Sequence, residues 1–129
     1  MKKNSVVHFE MPYKDPKKVS KFYSSAFGWD MNYLPKMGNY VLATTSPVDK
    51  NQMHKNKGAI NGGFFPKGDY GNSPHLVISV EDIKKHIEIV KKAGGKIIGK
   101  TMDIPEVGKF AMIKDTEGNH IGMLQPTQM

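Results

Sequence analysis

The chain has 129 residues, a length suited to one compact domain that buries a core of its own. Hydrophobic residues make up 38% and charged residues 24%, as in an ordinary soluble protein, and no apolar run is long enough to cross a bilayer. There is no cysteine, which excludes disulfides and thiolate chemistry, and the net charge of +7 comes from 19 lysines with no arginine. Nucleic-acid sites lean on arginine for bidentate contacts. Here the lysines are scattered or paired on helix-like stretches (Lys17-Lys18, Lys84-Lys85, Lys91-Lys92), so they read as solvated faces. Neither a nucleic-acid nor a membrane partner is expected, and the positive field favours an anionic small ligand. After Met1-Lys2-Lys3 only Val6-Val7 precede His8, too little for the apolar stretch of an export signal, so a cytoplasmic location is expected.

Residues 5–11 are β-branched and partly alternating, the pattern of a strand. Asp15-Pro16 then reads as an N-cap followed by a proline in the first turn. Val19, Phe22, Tyr23, Ala26 and Phe27 follow at helical spacing, and Gly28 stops the helix. Strands are expected over 29–34 and 38–45, with a turn at 35–37. Residues 46–57, which include His54, are polar and aperiodic and read as a mobile surface loop; 58–65 is a glycine-rich strand. Residues 66–73 form a linker rich in turn residues. Beyond it come a strand over 75–80 and a helix over 81–93 with Ile83, Ile87 and Val90 on one face. Strands over 96–100, 109–114 and 119–125 complete the chain, the last two joined by a turn at Asp115–Asn119.

These elements recur. His8 and His75 each open an apolar strand, and each is followed 20 residues later by a glycine that ends a helix, Gly28 and Gly95. Pro35-Lys36-Met37-Gly38-Asn39-Tyr40 matches Pro105-Glu106-Val107-Gly108-Lys109-Phe110, and Gly58, Gly62 and Pro66 match Gly118, Gly122 and Pro126. A self-match of this length means two copies of one supersecondary unit. The expected architecture is therefore α+β: two tandem βαβββ modules, 1–66 and 74–127, paired into a curved, cleft-forming mixed sheet within a single domain, 1–129.

Read together, His8-Phe9-Glu10-Met11-Pro12, Asp15-Pro16 through Phe22-Tyr23 to Phe27-Gly28-Trp29, Ile60-Asn61-Gly62-Gly63, Ala93-Gly94-Gly95-Lys96, Ile104–Gly108 and Asp115–Gly122 resemble the vicinal oxygen chelate superfamily. That superfamily includes glyoxalase I, bleomycin-resistance proteins and extradiol dioxygenases. The resemblance covers nearly the whole chain and points within the superfamily to small bacterial glyoxalase-like proteins of undefined activity. It implies the fold but not a reaction, because the fold hosts several chemistries. It also implies a homodimer and a small-molecule ligand. In the metal enzymes one divalent ion is held by the first and last strands of each module and acts as a Lewis acid.

His8 and His75 match the two first-strand ligand positions and are the candidate metal ligands. At the last-strand positions the related glyoxalases carry glutamate. Here the matching residues are Gly62 (or Asn61, if the alignment slips by one) and Gly122, so the standard set is at most half present and glyoxalase I activity is not expected. Glu10 lies two residues after His8, which on a strand puts both on one face. It is the candidate catalytic residue, and with His8 and His75 it could complete a two-histidine, one-carboxylate set. The cofactor stays open: one divalent ion at a partial site, or none. His54 and His86 read as solvated, and His120 shares the face of Gly122. Aromatics are frequent on the strands, among them Phe9, Trp29, Tyr33, Tyr40, Phe64, Phe65 and Tyr70. Some should face a ligand, with Trp29 the first to test, and others the helices. Two functions stand side by side: an enzyme of unassigned reaction acting through the cleft, and a metal-free binding protein of the antibiotic-sequestering kind.

Overall fold

A computed structural model of the protein describes residues 2–51, 55–68 and 71–127; His54 and Tyr70 lie outside them. The described residues form eight strands and two helices, a mixed α+β fold. The chain divides into two compact units, one of His8–Pro74 and one of Met1–Val7 with His75–Met129.

In the first of these, β1 (Val6–Tyr13) leads to α1 (Pro16–Phe27), β2 (Asp30–Leu34), β3 (Tyr40–Thr44) and β4 (Asn61–Pro66). The helix begins where the sequence expects it. Asp15 accepts the backbone N–H of Lys17 (3.0 Å) and Lys18 (3.2 Å), and Pro16 occupies the first turn, where its missing N–H costs nothing. The helix ends on Gly28 at φ +72°, a left-handed conformation that favours glycine. Strand order is β2-β3-β4-β1. β1 runs parallel to β4, while β4, β3 and β2 are antiparallel in turn. One face of these strands packs against α1: Tyr13, Val41, Ala43 and Phe64 are buried there, joined by Phe9, Met11, Val19, Tyr23, Trp29 and Met31. Burying a side chain such as Phe64 contributes on the order of 1.5–3 kcal/mol.

The other unit holds β5 (His75–Ser79), α2 (Ile83–Lys92), β6 (Lys96–Ile104), β7 (Gly108–Lys114) and β8 (His120–Pro126), in the order β5-β8-β7-β6. Again the first strand runs parallel to the last, and the rest are antiparallel. The helix α2 is shorter than its sequence pattern. Asp82 is spent as the N-cap, accepting the Lys85 N–H at 3.2 Å, so helical residues start at Ile83. Lys91 and Lys92 sit in the last turn, where positive charge suits the helix dipole. Ile83, Ile87 and Val90 pack with Val80, Ile97, Ala111, Ile113, Ile121 and Met123.

β6 is longer than expected, reaching Ile104 rather than Lys100. Its pairing with β7 shifts register between Ile98 and Met102, and Gly99 stands there at φ +72°. A bulge lets a strand continue through a residue that would otherwise end it. Among the described residues no helix is long and apolar enough to cross a membrane.

Candidate functional site

Register decides which side chains share a face. In the unit His8–Pro74, His8 pairs with Asn61, Phe9 with Gly62 and Glu10 with Gly63. Alternation therefore puts His8, Glu10, Asn61 and Gly63 on one side of the strands and Phe9 and Gly62 on the other. Contacts agree: a Cβ on Gly62 would lie 2.4 Å from the Phe9 ring, and Phe9 belongs to the cluster under α1. Gly62 thus faces the helix, and the last-strand position beside Glu10 is Gly63. The sequence placed it one residue early.

Tyr40 fills the space over Gly63. A Cβ there would lie 2.0 Å from both Cζ and the hydroxyl oxygen of Tyr40. The hydroxyl stands 3.0 Å from His8 Nε2 and shares a hydrogen bond with the Glu10 side chain. Burial, and then the Glu10 carboxylate, push the Tyr40 phenol far above its ordinary range. It therefore keeps its proton at neutral pH. A phenol has one proton to give. With that proton on Glu10, His8 must donate from Nε2, and the chain runs His8 Nε2–H to Tyr40 Oη–H to the Glu10 carboxylate. All three residues are partly buried.

Asn61, also on this face, has a separate task. Its Oδ1 accepts the backbone N–H of Thr45 (2.7 Å) and Ser46 (3.2 Å), while Thr45 Oγ1 donates to the Ile60 carbonyl (2.6 Å). This network closes the neck of the loop between β3 and β4.

In the other unit, His75 opens β5 and is buried, 5% exposed. Val77 pairs with Gly122, which pairs in turn with Met112. A Cβ on Gly122 would lie 2.7 Å from Phe110 Cζ and 3.2 Å from Val77 Cγ2. Phe110 here, like Tyr40 above, is a ring from the third strand of its unit laid over a glycine of the fourth. It has no hydroxyl. His120 stands at the start of β8, paired with Lys114, and His86 is partly buried on α2 rather than fully exposed.

The divalent ion that the resemblance implies was tested against these residues. The last-strand positions are glycines whose side-chain space is taken by Tyr40 and Phe110, and the amide oxygen of Asn61 is engaged by backbone donors. Among the described residues, no three of His, Cys, Asp and Glu gather as they would around a metal. A four-ligand ion set in the first and last strands does not fit these residues.

Residues 5–123 match the family model described as the glyoxalase/bleomycin resistance protein/dioxygenase superfamily. The chain belongs to this superfamily. A glyoxylase-like domain-containing protein of Didymella fabae is 34% identical over 115 residues, 85% of this chain and 84% of that protein. A Mycobacterium tuberculosis protein whose name proposes a glyoxylase is 28% identical over 116 residues, 86% of this chain, and the chain spans 41% of its length. Among solved structures, a hypothetical protein of Bacillus halodurans superposes with a TM-score of 0.68 at 17% identity, covering 99% of this chain and 98% of that one. Methylmalonyl-CoA epimerase of Mycobacterium tuberculosis does so with a TM-score of 0.66 at 12% identity, covering 95% and 88%. At such identities the superpositions show the shared glyoxalase fold and nothing of the reaction.

Of the sequence-selected residues, His8 and Glu10 come together through Tyr40, and His75 lies in the other unit. Tyr40 was not singled out. Its signal was present in the matched pairs Tyr40/Phe110 and Gly63/Gly122, one aromatic and one glycine in each half. Trp29 stacks on Tyr23 (centroids 4.8 Å apart) and packs on Phe9 (5.6 Å), so it lies on the α1 side, away from the His8–Glu10 face.

Proposed function

We propose that this glyoxalase-superfamily chain is an enzyme on small organic molecules that moves a proton with Glu10 and works without the metal of its metal-dependent relatives. The observation that carries this is the Tyr40 hydroxyl, hydrogen-bonded to Glu10 and to His8 Nε2. Partly buried titratable groups held in one hydrogen-bonded chain are a frequent mark of acid–base sites. In this reading Glu10 is the base, Tyr40 orients its carboxylate, and His8 supplies the proton that fixes the orientation of the Tyr40 hydroxyl. A carboxylate base of this kind suits a substrate with a C–H made acidic by a neighbouring carbonyl, and the chain's positive charge supports an anionic one. A homodimer in the cytoplasm is part of the same proposal.

Two measurements test it. Elemental mass spectrometry of protein purified without an affinity tag should find no stoichiometric metal, and added divalent ions should leave the melting temperature unchanged. Bound metal that is lost in His8→Ala, Glu10→Gln or His75→Ala would replace this reading with a metal-held one. Separately, small carboxylates and thioesters with a C–H beside a carbonyl are incubated in D2O and followed by NMR. Deuterium uptake that falls by at least ~10²-fold in Glu10→Gln supports the general base. No uptake with any of them reduces the function to ligand capture.

A further inference from the structure

Tyr40 can hold His8 and Glu10 together only if its hydroxyl is aimed, and the residue just before it is unusually constrained. Asn39 has φ +59° and follows Gly38 at φ +68°, so two left-handed residues in succession lead into β3. Asn is among the few side-chain-bearing residues that adopt this region readily. Both its acceptors are taken by tyrosines, one from β1 and one from β2. Tyr13, at the end of β1, donates its hydroxyl to the Asn39 carbonyl. Tyr33, in β2, donates to Asn39 Oδ1 at 2.8 Å. The strand that carries His8 and Glu10 thus also holds, through Tyr13, the backbone from which Tyr40 springs.

The other unit turns differently. In the matching hexapeptide the left-handed residues are Glu106 (φ +67°) and Gly108 (φ +142°), and Lys109, the counterpart of Asn39, has no positive φ. The ring it precedes has no hydroxyl to aim. That hairpin thus places its left-handed side-chain-bearing residue three positions earlier and reaches its aromatic without one immediately before the ring.

We propose that Asn39, gripped by Tyr13 and Tyr33, is a positioning residue that aims the Tyr40 hydroxyl between His8 and Glu10. This rests on the role given to Tyr40 above. The test is the ring 15N spectrum of His8 in histidine-labelled protein, assigned by loss of its signals in His8→Gln. Donation to Tyr40 gives a protonated, pyrrole-type Nε2, a signature that a general change in stability does not move.

Tyr40→Phe should lose that signature. Tyr33→Phe, a change at a half-exposed hydroxyl, and Asn39→Gly, which tolerates the positive φ but lacks the side-chain acceptor, should shift it towards the Tyr40→Phe spectrum. Asn39→Asp keeps an acceptor for Tyr33 and should retain it. An unmoved His8 signal in both Tyr33→Phe and Asn39→Gly, with Tyr40→Phe altered, overturns the positioning role and leaves the hydrogen-bonded chain standing. An unmoved signal in Tyr40→Phe overturns both.

Discussion

In the unit His8–Pro74 the ring over the fourth-strand glycine ends in a hydroxyl; in the unit containing His75 it ends in a bare phenyl edge. The glycine has the same structural reason in both, since a side chain there would collide with the ring. The chemistry diverges at one oxygen atom. Tyr40, partly exposed, joins two titratable neighbours, whereas Phe110, 6% exposed, lies over Gly122 beside Val77 and has no hydroxyl to offer. The same packing solution thus carries a hydroxyl in one unit and none in the other. A vacant ligand position need not mean an empty one.

The coarsest way to probe the comparison is to strike each core in turn. Phe64→Ala should cost about 3–5 kcal/mol and Ile83→Ala about 2–5 kcal/mol, because both side chains are 1% exposed and little can collapse around the lost volume. Urea unfolding followed by circular dichroism measures both. A two-step transition in either variant would show the units unfolding separately.

The glycine seats come next. Gly63→Ala and Gly122→Ala are overpacking changes of about 1–3 kcal/mol, with Gly63 the costlier because its approach to the ring is 2.0 Å against 2.7 Å. Adding Tyr40→Ala to Gly63→Ala should recover part of the loss, because the clashing ring is gone. A larger cost at Gly122 would mean that ring mobility, not approach distance, decides.

Exchanging the two rings is subtler. Tyr40→Phe should cost about 1.5–3 kcal/mol, because the hydroxyl bonds a carboxylate as well as His8. Phe110→Tyr should cost about 1–3 kcal/mol if its new hydroxyl finds no partner. Equal costs would show that the two environments differ less than their burial implies.

The smallest effect concerns the β7–β8 turn. Asp115 accepts from the side-chain amide of Asn119 (2.9 Å) and from the backbone N–H of Asn119 (2.9 Å) and Glu117 (2.8 Å). These bonds, led by the Asn119 side chain, hold its carboxyl below the ordinary carboxylate value. A lowered folded pKa gives stability that is present above the unfolded value of 3.8 and is lost as pH falls through the folded one. The melting-temperature gap between the wild type and Asp115→Asn should therefore be small at pH 7 and close in acid. A gap that persists in acid would assign the effect to geometry rather than charge.

Much of the fold was legible locally. Asp15-Pro16 and Gly28 bound α1 as read, since caps act within one turn of chain. The strand expected over 96–100 stopped short of Ile104 because only pairing with β7 carries β6 past Gly99. Within the site, His8 and Glu10 were readable because period-two alternation is a property of a single strand. Gly63 was misplaced by one residue because its face depends on which strand lies beside it and in what register.

Short-range steric and hydrogen-bonding rules, readable from the chain alone, set the element order, the limits of α1 and the His8–Glu10 pair. The sequence also held the matched Tyr40 and Phe110 without a reason for them. Only the tertiary structure decided that a ring from β3 lies over a glycine of β4 and brings its hydroxyl to His8 and Glu10. Those groups are 30 or more residues from Tyr40 in the chain, and their meeting follows from strand pairing, which no local pattern encodes.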